Sequence, residues 1–297
     1  MANVLITGGS GFLGSHLISH LHSEGKSVSV LGRTITNNIS SFLWNIEKQT
    51  MDESAISGKD TIIHLAGAGI ANKRWTSSYK KEIIESRVKS AGLLFEKIKK
   101  IPNTIKTFIS ASAIGYYGDA GDVWVEEDFH APEDFMGKTC IEWEKSARQF
   151  ESLGIRVIIF RIGLVLSKDG GVLPALVLPV KFFAGAPLGN GKQYMSWIHI
   201  IDLCRLFSFA IDNRKINGTY NAVAPSPVTN KTFIKNLGGA LHRPVWPFNI
   251  PAAIMKLILG EKAAIVLNGQ RVSNKKIRMA GFNFQYTDFN KTLKELV

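Results

Sequence analysis

Through the first half of the chain, short apolar runs alternate with amphipathic stretches. NVLIT (3–7), VSVL (28–31), TIIHLAG (61–67), KTFISAS (106–112) and RVIIFR (156–161) are continuous enough to be strands buried on both faces. Between them, stretches near 12–24, 77–100 and 138–152 repeat apolar residues every three or four positions, as a helix with one face on a core does. This alternation implies right-handed crossovers, and so an α/β fold with a doubly wound parallel sheet. After residue 165 the rhythm changes. A Gly- and Pro-rich segment leads into YMSWIHI (194–200), a helix near 202–212 and a strand at TYNAVA (219–224). From Pro225 the pattern is mostly helical, with breaks at Pro244, Pro247 and Pro251. The chain therefore divides into a nucleotide-binding unit, 1–165 with 195–225, and a smaller substrate-side region, 166–194 with 226–297.

Composition narrows the class. The 297 residues are 45% hydrophobic and 20% charged, as in ordinary globular proteins. The net charge of +12 suits acidic or phosphate-bearing ligands, but no basic block or RNA-binding signature accompanies it, so no nucleic-acid partner is expected. Cys140 and Cys204 form no C-x-x-C, which speaks against a disulfide framework or a zinc site. The most apolar stretch, 170–189, is interrupted by Pro174, Pro179 and Lys181 and reads as a buried helix followed by a loop. With the first strand expected from Asn3, no leader segment is expected before it. A cytoplasmic protein with a small-molecule substrate, no membrane partner and no metal is the expectation.

The strongest local signal is TGGSGFLGSHLISHL, which follows the first strand and opens the first helix. Gly8 permits a tight turn, Gly11 lets a diphosphate approach the backbone, and Gly14 lets the helix pack close to the sheet. The amides of Ser10, Gly11, Phe12 and Leu13 then meet phosphates at a helix N-terminus. That is a Rossmann-type dinucleotide site. The second strand ends VSVLGRT with Arg33 and no nearby acid. A carboxylate there would favour NAD by bonding both ribose hydroxyls, whereas a guanidinium can clamp a 2′-phosphate. NADP is the expected cofactor, with NADPH preferred over NADH.

TGGSGFLG, HLAGAGI, SASAIGYYG and WIHIID together resemble an extended short-chain dehydrogenase/reductase. IANKRWTSSYKKEIIESRV, RIGLVLSKDGGVLP and GNGKQYMSWIHIID are similar to an atypical, epimerase/dehydratase-like branch with a small C-terminal domain, matched here by 251–284. The resemblance spans essentially the whole chain. It implies that Leu65, Ala66 and Gly67 pass under the adenine and ribose. Ser110, Ala111 and Ser112 would flank the nicotinamide ribose, and Ile162, Gly163 and Leu164 would cover the nicotinamide. Arg87 stands where many relatives carry Asn; it either adds a cation near the cofactor or closes a salt bridge. A homodimer is a further implication of the family.

The superfamily's acid/base is a Tyr whose pKa is lowered by a Lys four residues later on the same helix face. No tyrosine of this chain has Lys at that spacing. Registering DFMGKTCIEWE by Glu144 puts Met136 and Cys140 in the two places. They continue, with Trp143, Ala147 and Phe150, as one apolar helical stripe. Gly137-Lys138-Thr139 is no phosphate loop, because Pro132 occupies the position of its first glycine. Substitutes for the acid/base are Tyr117, Ser112, Lys138 and His199, with Asp119 beyond them. Arg74, Trp75, Arg161 and Trp197 are the candidates for the substrate side. Two functional classes follow: an NADP(H)-dependent oxidoreductase or nucleotide-sugar-epimerase-like enzyme with a nonstandard acid/base, or a non-catalytic NADPH sensor or scaffold.

Overall fold

The computed structural model describes residues 2–35 and 39–297. In chain order the first half forms β1 (Asn3–Thr7), α1 (Phe12–Ser23), β2 (Ser27–Gly32), β3 (Ser40–Asn45), β4 (Thr50–Met51), β5 (Thr61–His64), α2 (Ser77–Lys100), β6 (Thr107–Ala113), β7 (Trp124–Val125) and α3 (Phe135–Arg148). The second half adds β8 (Arg156–Ile162), β9 (Leu164–Leu166), α4 (Leu173–Lys181), β10 (Tyr194–Met195), β11 (Trp197–His199), α5 (Ile200–Asp212), β12 (Gly218–Ala222), β13 (Val228–Thr229) and α6 (Asn230–Ala240). Then come α7 (Ala252–Leu259), α8 (Ala264–Leu267), β14 (Arg271–Val272), α9 (Lys275–Met279) and α10 (Phe289–Leu296).

The principal sheet runs β12-β8-β6-β5-β1-β2-β3-β4. Every pairing is parallel except β3 with β4 at the edge. Successive residues alternate between its two faces, which explains the unbroken apolar runs. Ile6, Ile63 and Ile158 pack with Leu17, Leu203 and Phe207 of α1 and α5. Their chain neighbours Leu5, Ile62 and Ile159 pack with Leu94, Ile98 and Ala147 of α2 and α3 on the opposite face. From β1 the chain steps out to β2 and β3, then crosses back to β5, β6, β8 and β12. This reversal opens a crevice beyond the carboxyl ends of β1 and β5, where ligands bind in doubly wound sheets.

A second core joins Leu173 and Val180 of α4, Trp197, Phe233 and Leu237 of α6, and Phe289 and Leu293 of α10. Two strands of the principal sheet were not foreseen from sequence: β3 buries only Trp44 of its six residues and so writes no apolar run, and β4 is a two-residue edge strand. The third helix starts at Phe135 rather than 138, because the Asp134 carboxylate caps it by accepting from Gly137 N at 2.7 Å. The expected buried helix in 170–189 is also corrected. Only Leu173 and Val180 of α4 are buried, and Leu178 is exposed, because α4 packs on one side only. Among the described residues no helix is long and apolar enough to cross a membrane.

Candidate active site in the sheet crevice

The glycine turn is closed so tightly that side chains have no place in it. Gly8 has φ +71°, and a Cβ there would lie 2.8 Å from the Leu65 carbonyl carbon. At Gly14 a Cβ would come within 2.4 Å of Gly8 O, so α1 can approach the turn only through glycine. Gly11 N donates to Gly8 O at 3.0 Å, and Gly11 caps α1 without a side-chain acceptor. The first amides of α1 are thus left for an anionic group in the crevice. Ser10 and Gly11 are exposed there, and so is Gly67 at the loop after β5. The Phe12 ring fills the space beside Gly170, whose Cβ would sit 2.5 Å from it. Arg33 stands exposed just past β2.

Beneath the turn lies a polar bridge that the sequence did not advertise. His64 Nδ1 and Thr7 Oγ1 are 2.8 Å apart, and His64 Nε2 and Ser90 Oγ are 3.2 Å apart. Full burial pushes this imidazole down to about 4, with the nearby Arg87 charge acting the same way. A neutral His64 therefore ties β1, β5 and α2 together below the crevice floor.

Further along the crevice, α3 presents Met136 and Cys140. The Met136 methyl group lies against Gly115, where a Cβ would be only 2.6 Å away. Cys140 Sγ is 3.7 Å from Ala113 O. Burial raises the Cys140 thiol to about 12, so it is a neutral thiol. Trp75 roofs this end. It donates through Nε1 to Ile70 O at 2.8 Å and packs edge-on against Phe135, 4.8 Å between centroids. Tyr79, Ile83, Met136 and Ile265 complete an apolar patch.

Among the described residues Arg87 closes no salt bridge. It is 8% exposed, and Nη1 donates to Ile83 O at 2.8 Å and Ala68 O at 3.0 Å. Its guanidinium carbon lies 4.5 Å from the centre of the Trp143 ring, while its buried Nε has no partner.

Ser112 and Tyr117 are brought together, but inside a closed network. Arg161 grips Glu144 bidentately, Nε to Oε1 at 2.7 Å and Nη2 to Oε2 at 2.9 Å. Ser112 Oγ donates to Glu144 Oε1 at 2.9 Å. Arg161 Nη1 donates to Tyr117 OH at 3.0 Å, and Tyr117 OH donates to Asn221 Oδ1 at 2.6 Å. Burial pushes the Tyr117 phenol up to about 12 against the pull of Arg161. Burial also works against the Arg161 charge, but Glu144 more than offsets it and the net shift is upward. Glu127 Oε1 accepts from Asn221 N at 2.8 Å. Glu144 entered the sequence reading only as a register mark, and Asn221 and Glu127 did not enter it. An acid on an otherwise apolar helical stripe, opposite an arginine ending a buried strand, was the available signal.

The remaining candidates scatter. Lys138 and Arg74 are exposed. Asp119, also exposed, accepts from Gly269 N at 3.2 Å. His199 caps α5 by accepting from Ile201 N at 3.2 Å and stacks on Tyr286 at 3.6 Å; its buried Nε2 has no partner. Trp197 is fully buried in the second core, with Nε1 donating to Ser226 O at 2.7 Å. Ser110 and Ala111 are buried in β6. Ile162 ends β8, Gly163 follows it and Leu164 opens β9 beside Ser196, where a Cβ on Gly163 would lie 2.5 Å from the Ser196 carbonyl oxygen.

Known proteins share this fold. Residues 4–222 match the NAD dependent epimerase/dehydratase family, and residues 250–296 match a domain of unknown function, DUF1731. An "epimerase family protein" of Staphylococcus aureus strain MRSA252 is 37% identical over 302 residues, covering 100% of this chain and 99% of that protein. The crystal structure of human epimerase family protein SDR39U1 with NADPH superposes with TM-score 0.89 at 29% identity, covering 99% and 98% of the two chains. A nucleoside-diphosphate sugar epimerase from Corynebacterium glutamicum gives 0.81 at 30% identity over 99% of this chain and 58% of that one. Fold, glycine turn and whole-length similarity agree: the chain belongs to the NAD dependent epimerase/dehydratase family, in its extended short-chain dehydrogenase/reductase form with a DUF1731 C-terminal domain.

Proposed function

We propose that this protein is an NADP(H)-dependent oxidoreductase or epimerase-like enzyme that works without the family's Tyr/Lys pair. The observation that carries the cofactor is the cradle itself: Gly8 and Gly14 leave room only for backbone, and the first amides of α1 open into the crevice. The NADPH in the human relative supports the same choice. In this reading the amides of Ser10 to Leu13 take the diphosphate, and Leu65, Ala66 and Gly67 line the adenine half. Arg33 takes the 2′-phosphate. A nicotinamide bound there supplies hydride exchange. The chain's own contribution at that end is an apolar roof of Trp75, Phe135 and Met136, which excludes water from the reacting face. A small-molecule substrate fits between the carboxyl edge of the sheet and the 226–297 region.

Met136 and the neutral Cys140 also favour a second reading, a protein that binds NADPH without turnover. Titration with NADPH and NADH, followed by NADPH oxidation over a panel of carbonyl substrates, separates the two. Binding with oxidation supports the enzyme, and tight binding without oxidation supports the sensor. For Arg33→Asp the NADPH/NADH affinity ratio should fall at least about tenfold. An unchanged ratio would remove Arg33 from the cofactor site.

A further inference from the structure

Arg87 is a buried cation to which, among the described residues, no carboxylate is hydrogen-bonded or ion-paired. Burying a guanidinium is costly unless its charge and donors are matched. The other buried arginine near the crevice, Arg161, is matched in full by Glu144. Arg87 instead spends Nη1 on two backbone carbonyls and leaves Nε buried and unpaired. Its position is specific. The guanidinium reaches from Gly67, the last residue of the run assigned to the adenine half, where a Cβ would be 3.0 Å from Cζ, across to the Trp143 ring of α3, 4.5 Å away. It is this α3 contact that carries the charge toward the other end of the crevice. Trp143 is one helical turn from Cys140, the residue at the lysine's place in the family register. Cys140 and Arg87 are close enough for each to bear on the other's ionisation.

We infer that Arg87 supplies from α2 the fixed positive charge that the missing lysine would have supplied from α3, at the nicotinamide-ribose end of the cofactor. This rests on the NADP(H) reading above and deepens it. A cation held at that end disfavours the positively charged oxidised nicotinamide relative to the neutral reduced one. The site is then biased toward NADPH by geometry alone, whatever substrate follows. Arg87 is a positioning residue in this account, because it sets charge and orientation without touching the reacting carbon.

The test is equilibrium binding of three ligands to the full chain: NADPH, NADP+ and 2′-phospho-ADP-ribose, which keeps the diphosphate but lacks the nicotinamide. For Arg87→Met, the ratio of the NADP+ to the NADPH dissociation constant should fall about tenfold, with 2′-phospho-ADP-ribose affinity unchanged. Arg87→Lys should restore most of the ratio, and melting curves of both variants check that they fold. Equal losses for all three ligands would place Arg87 on the diphosphate and overturn the proposal. So would an unchanged ratio in a folded Arg87→Met protein. If the wild-type chain binds none of the three, the cofactor reading falls and takes this inference with it. Normal wild-type binding with an unmoved ratio removes the Arg87 assignment alone.

Discussion

At the scale of a residue, Tyr117 shows why a hydroxyl's neighbours matter more than its place in a motif. Its phenol donates to Asn221 and accepts from Arg161, so it has little capacity left for a ligand. Tyr117→Phe strands one donor and one acceptor in a buried site, and should cost about 1–3 kcal/mol in urea unfolding. Affinity for NADPH should stay where it was. The phenol also carries a pH signature. Its ionisation in the folded protein lies near 12, above the ordinary value of 10.0, because burial penalises the phenolate. Its contribution is therefore complete below pH 10 and is lost as pH rises toward 12. Between those limits, stability of Tyr117→Phe should fall less steeply than that of wild type. A residual slope is expected, since burial pushes Cys140 and Cys204 up to about 12 as well. Identical alkaline slopes in the two proteins would show that Tyr117 titrates like a solvated phenol.

At the scale of an element, α3 joins what sequence could reveal to what it could not. Its apolar stripe was legible because Met136, Cys140, Trp143 and Ala147 follow the helical period, and this also brought out the absence of Tyr and Lys. The buried strands were legible for a similar reason, since a parallel sheet covered on both faces writes unbroken apolar runs. The partners of individual polar groups were not. Glu144 finds Arg161 from another element, Arg87 reaches Ala68 across a loop, and Tyr117 meets Asn221 across 104 residues of sequence. No local pattern encodes such meetings. The start of α3 depends on one carboxylate: Asp134 Oδ1 takes the Gly137 amide at 2.7 Å, and Gly137 is needed because a Cβ would lie 2.3 Å from Pro132 O. Asp134→Ala should cost about 1 kcal/mol of global stability. It should also speed amide exchange in 135–138, leaving the later turns of the helix protected. A loss spread evenly along α3 would mean that Pro132 packing, rather than the cap, holds its first turn.

At the scale of the whole molecule, the question is what holds the C-terminal region against the sheet crevice. Surface ion pairs such as Lys80 with Glu261 contribute little on their own. The β14–β7 pairing and the Asn221 side-chain amide, which donates to Ser273 O at 2.9 Å, tie the tail near the buried network. The heaviest single attachment is Asp202 of α5. Its carboxylate is fully buried and accepts from Gln285 N at 2.9 Å, Tyr286 N at 2.8 Å and Arg205 Nη1 at 2.7 Å. The amide bonds cross from α5 to the chain leading into α10, and Tyr286 in turn stacks on His199. Asp202→Ala would leave two buried amides unanswered and Arg205 with only Asn283 O, at a cost of about 1–3 kcal/mol for each stranded amide. Asp202→Asn retains one acceptor and should lose less. Because the bonds lie between regions, the defect should also appear as faster proteolysis within 280–297 under conditions where the sheet remains intact. If the tail of Asp202→Ala stayed as resistant as that of wild type, the second core of Trp197, Phe233 and Phe289 would be sufficient to hold α10 in place.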